Sequence, residues 1–90
     1  DLKELFVDFH ALCFDGHENA LKAFFTSDIT LAESVRAMRE KIEKTFTNIE
    51  KGARAQSLDV VPQILAIASF LRQIYEHSVD IADLVVPKRP

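Results

Sequence analysis

Ninety residues with a formal charge of −3, nearly half of them hydrophobic and only two Gly and three Pro among them, exclude a disordered chain and favour a few long elements joined by short turns. Acids and bases are interleaved without a basic patch, which argues against a nucleic-acid backbone or an anionic membrane as partner. A single cysteine excludes an internal disulfide, and no run approaches ~18 apolar residues, so the reading is one domain, cytoplasmic, with no direct membrane insertion.

The first element is a helix over about 2–26. Leu2, Leu5, Phe6, Phe9, Leu12, Cys13, Ala20, Leu21, Phe24 and Phe25 share a broad face, with Glu4, Asp8, Asp15, Glu18 and Lys22 opposite. Asp15-Gly16 is a turn-prone pair, yet the apolar positions stay in phase across it, so one continuous helix is expected. His10, Cys13 and His17 fall within about 60° of one another on such a helix, and imidazole with thiolate at that spacing can hold zinc. The competing reading is an ordinary apolar border, where Cys packs as a small hydrophobe.

Thr26, Ser27 and Asp28 stop this helix, and Thr30-Leu31-Ala32-Glu33 reads as a capping box opening a second one over about 30–54. Leu31, Val35, Met38, Ile42, Phe46 and Ile49 form its narrow seam, while Glu33, Arg36, Glu40, Lys44 and Lys51 are expected to face water. So short a connection favours antiparallel neighbours.

The third helix spans about 59–86, capped by Ser57 or Asp59, with Pro62 in its first turn and Pro87 and Pro90 closing it. Ile64, Leu65, Ile67, Ala68, Leu71, Ile74, Tyr75, Ser78, Ile81, Ala82 and Val85 make its apolar face. The expected fold is all-α, an antiparallel up-down-up three-helix bundle forming a single domain over 1–90. Phe6, Phe9, Phe24, Phe25 and Phe46 are its expected aromatic core, while Val7 and Phe14 point elsewhere and suggest a second buried face against a partner.

On the polar side of the third helix, Glu76, Asp80 and Asp83 stand about one turn apart, a spacing at which three carboxylates can offer oxygen ligands to a hard cation. The competing reading is a solvated acidic face. His77 beside them reads as surface. No Gly-rich phosphate loop, nucleophile elbow or HExxH motif is present, so the chain reads as a non-enzymatic binding or regulatory module.

The stretch from Phe70 to Leu84, with Arg72, Glu76-His77, Asp80 and Ile81-Ala82-Asp83, resembles the signature helix of the PhoU family of phosphate-uptake regulators. The resemblance implies a cytoplasmic regulator coupling a phosphate transporter to a sensor kinase. It also implies a metal site at Glu76, Asp80 and Asp83 for iron, manganese, magnesium or zinc, since some family members bind metal through an acid-xxx-Asp motif that Glu76 and Asp80 match. Arg39, four residues before Glu43, departs from the family, which often has an acid there. Family members usually carry two three-helix repeats, so the implied partner is a second PhoU-like repeat or a homodimer mate. The alternative is a structural or dimerising bundle whose acids are merely solvated.

Overall fold

The computed structural model describes residues 1–87 and contains helices only among them. The expected stop at Pro90 and the end of the 1–90 domain lie outside the described residues. Four helical segments follow in order: α1 (Leu2–Thr26), α2 (Ile29–Ala37), α3 (Arg39–Arg54) and α4 (Val61–Asp83).

Helix α1 starts at Asp1, whose carboxylate accepts the Glu4 N–H at 3.0 Å, and runs unbroken through Gly16. It ends where Ser27 turns left-handed at φ 53° and the Asp28 N–H donates back to the Ala23 carbonyl at 2.9 Å. The next helix opens two residues earlier than the capping box suggests. Asp28, not Thr30, is the cap, accepting the Leu31 N–H at 3.0 Å.

The second expected helix is divided at Met38 into α2 and α3, and the cause is a side chain from α4. The Tyr75 hydroxyl donates to the Val35 carbonyl at 2.6 Å and approaches the Arg36 carbonyl at 3.3 Å. An uninterrupted helix would give those carbonyls to N–H groups four residues on, and a hydroxyl inserted in that ladder is a recognised source of a break. Burial pushes the Tyr75 phenol above its ordinary range, which keeps the hydroxyl protonated as a donor. The last helix has neither Ser57 nor Asp59 as cap. It begins at Val61 with Pro62 in its first turn and stops at Asp83, short of Val86.

Contacts fix how the segments lie together. Leu2 lies against Gly52, Phe9 against Phe46 and Gly16 against Met38, so numbers rise along α1 as they fall along α3 and α2. Against α4, Gly16 meets Tyr75, while Phe6 and Val7 share a valley with Ile67 and Leu71. The core runs through Phe9, Cys13, Val35, Ile42, Phe46, Ile49 and Tyr75, and narrows toward Ala20, Ala23, Ala32 and Ala82. A Cβ on Gly16 would stand 3.2 Å from the Tyr75 ring, so the glycine marks a close approach rather than a kink.

This narrow interior has no room for all the phenylalanines. Phe24 and Phe25, expected in the core, are exposed and pack edge-to-face on each other with ring centroids 5.4 Å apart. The described residues span 58 × 16 × 15 Å, a rod little wider than its helices.

Candidate interaction surface

Two stripes on α4 carry the functional question, one polar and one apolar. On the polar stripe, Glu76 takes both guanidinium nitrogens of Arg39, with the Nη2 to Oε2 contact at 3.1 Å. Asp83 faces Arg36 at 3.2 Å, and Arg72 faces Glu43 at 3.3 Å while stacking 3.9 Å above the Phe46 ring. Arg36 of α2 and Arg39 and Glu43 of α3 thus meet Asp83, Glu76 and Arg72 of α4 in reverse order, a charge ladder that ties three helices. The Glu76 carboxyl is held below its ordinary value, first by the hydrogen bond from Arg39.

The three carboxylates expected to share a cation therefore have separate partners. Glu76 and Asp83 each hold an arginine, and Asp80 is exposed, 4.0 Å from His77. Among the described residues, no group of three His, Cys, Asp or Glu stands close enough to hold a metal ion. As placed, these residues do not fit a common metal. The two sets of nitrogen and sulfur candidates are likewise apart in character: Cys13 is fully buried with its thiol pushed up to about 12 by burial, while His10 lies outside, stacked on Phe14 at 4.5 Å.

Sequence reading missed the ladder because it placed Arg36 in water. The signal was there: two basic residues then an acid on one helix, opposed by two acids and a base read backwards on the next.

The apolar stripe is the larger feature. On α1, Val7, Phe14, Leu21 and Phe25 recur at the spacing of one helical face and are all exposed, beside Phe24 and the ring of His10. On α4, Ile67, Phe70 and Leu84 do the same. The stripes adjoin, because Phe6, Val7 and His10 of α1 and Ile67 and Leu71 of α4 line one open valley of about 300 Å³. Val7 and Phe14 thus lie on a second apolar face, as the sequence suggested, and Ile67, Leu21, Phe24 and Phe25 join them rather than the core.

The model of the PhoU domain matches residues 7–85. The chain belongs to the PhoU domain family. The match takes in most of α1 and all of α2, α3 and α4, so both stripes of this PhoU domain lie within it. Comparison with curated proteins and with solved structures returns no match. Among the described residues of the PhoU domain, no helix is long and apolar enough to cross a membrane.

Proposed function

We propose that this PhoU domain is a non-enzymatic regulator of phosphate transport in the cytoplasm, acting through protein contacts made by the outer face of α1 and α4. Read as an up-down-up three-helix bundle, it uses one side of α1 and α4 for its own core and leaves the other for a partner, expected to be a phosphate transporter or its sensor kinase. The observation that carries this reading is the run of large apolar side chains in water, with Val7 at 60%, Phe70 at 65% and Phe25 at 80% exposure. Monomers of this size rarely leave contiguous apolar patches of that extent uncovered. Family membership supports the phosphate link.

In this reading the acidic residues of α4 lock helices together rather than bind a cation, because a metal at Glu76 and Asp83 would have to displace Arg39 and Arg36.

The test is made in a bacterial host whose own PhoU regulator has been deleted. Expression of this chain is expected to restore repression of phosphate-starvation genes in high phosphate, and Phe14→Asp is expected to abolish the restoration at unchanged protein level. Restoration by Phe14→Asp as full as by the wild type overturns the assignment to this face, and no restoration by either overturns the phosphate role.

A further inference from the structure

We propose that α2 is a strap that undocks as one unit between Ser27 and Met38 while α1, α3 and α4 stay folded, and that its bonds to the C-terminal half of α4 hold it shut.

Both ends of α2 are breaks in the helical backbone. Before it, Ser27 stands in the left-handed region at φ 53°, a conformation that serine adopts at a cost. After it, the Met38 N–H reaches back only three residues, to the Val35 carbonyl at 3.2 Å, and α3 begins with no side-chain cap. The ladder of helical hydrogen bonds therefore does not carry the stability of α3 into α2. With nine residues, α2 is also shorter than the roughly 12 at which an isolated helix becomes even marginal in water. It is a helix because it is docked.

Little apolar surface does the docking. Ala32 and Val35 are the two buried residues of α2, whereas α3 buries Ile42, Phe46, Ile49 and Ala53. Elements that bury so little open at a lower free energy than the rest of a fold. Polar bonds to α4 make up the difference. The Tyr75 hydroxyl donates to the Val35 carbonyl at 2.6 Å, and the Arg36 guanidinium reaches the Ala82 carbonyl at 3.4 Å and the Asp83 carboxylate at 3.2 Å. Undocking does not strand the Val35 carbonyl. The N–H of Arg39, four residues on, is its ordinary partner in a continuous helix, so one donor is exchanged for another and α3 grows by a turn.

The strap closes the end of the core where Ala20, Ala23, Ala32 and Ala82 gather. The same turns of α1 and α4 carry the exposed Leu21, Phe24, Phe25 and Leu84 on their outer side. The valley at Val7 and Ile67 lies instead at the level where Phe9 packs on Phe46 of α3, beyond the reach of α2. A partner on the apolar face thus finds its Phe24 and Phe25 end assembled only while the strap is docked. That consequence rests on the reading of this face as the contact surface, and the strap itself does not.

Amide hydrogen exchange of the whole chain, followed residue by residue by NMR, tests the strap without any partner. In the wild type, the amides of residues 33–37 are expected to share one protection factor, roughly tenfold or more below those of Phe46 and Leu71. Ile49→Val, in the core of α3, is expected to lower protection at Phe46 and Leu71 by roughly threefold or more and to leave residues 33–37 unchanged, because α2 opens without the rest. Tyr75→Phe is expected to lower protection of residues 33–37 by roughly five- to tenfold, and Arg36→Ala to lower it in the same direction. Wild-type α2 amides as protected as the core overturn the proposal. So does an Ile49→Val effect that spreads equally to α2, or α2 protection that neither Tyr75→Phe nor Arg36→Ala lowers. Because no binding is measured, failure here is separate from failure of the Phe14→Asp complementation, which concerns the face alone.

Discussion

Tyr75 joins the core to the interruption at Met38. Its ring is fully buried against Gly16, and its hydroxyl is held by the carbonyl of Val35, also fully buried. Removing the hydroxyl in Tyr75→Phe leaves that buried carbonyl with only the Met38 N–H, at 3.2 Å, as donor, a loss of about 1 to 1.5 kcal/mol. The expected result is a melting temperature lower by roughly 5 to 10 °C with the same helix content. An unchanged melting temperature would mean that Val35 finds its usual helical donor as soon as the hydroxyl is gone. Sequence alone made Tyr75 a core residue, because its place in the period of α4 fixes which way it points. It gave no sign of the division at Met38, because a hydroxyl crossing from a residue forty positions away leaves no local pattern. Gly16 was ambiguous for the same reason: the residue that explains it is distant in the chain.

At the scale of elements, the helices were legible and their edges were not. Long, strongly periodic runs fixed α1 and α4, whereas Asp28 and Thr30 are both plausible caps and only the backbone path chooses between them. The apolar faces were read as wider than the core can accept. Phe24 and Phe25 were read onto a buried stripe, but the alanines at Ala20, Ala23, Ala32 and Ala82 draw the helices together at that end and push larger groups out, while Ile67, at the other end, opens onto the valley beside Phe6, Val7 and His10. The candidate metal residues were found as a stripe, and their partners were not, since the guanidinium groups arrive from the preceding helices. The ladder makes a pH-dependent prediction through Glu76, whose carboxyl is held by Arg39 below its ordinary value of 4.5. An unfolded chain then takes up this proton more readily than the folded one, so the stabilisation is present above about pH 4.5 and is lost as pH falls through the lower, folded value. With 43% of the Glu76 side chain exposed, solvent screening keeps the effect under about 1 kcal/mol. Urea midpoints between pH 7 and pH 3 should place Glu76→Gln below the wild type at pH 7 and bring the two together in acid. A gap that stays constant across the range would remove Arg39 as the cause.

At the scale of the whole molecule, a thin rod has little interior. A chain of ninety residues buries only about 60% or a little more of its unfolded surface, and here large side chains that could have added to that total lie outside. The exposed face is thus a site for contact and also stability that the isolated chain does not collect. If a second copy covers it, folding and association are linked, and melting becomes dependent on concentration. Each tenfold rise in protein adds about 1.4 kcal/mol in favour of the folded dimer over two unfolded chains. Two chains of this length lose enough entropy on folding for that to raise the melting temperature by roughly 3 to 4 °C per tenfold. Reversible calorimetric scans from 10 to 1000 µM should follow that slope for the wild type and lie flat for Phe70→Asp. A flat wild-type series would mean that the rod is stable on its own narrow core and that its apolar face is kept for a different protein.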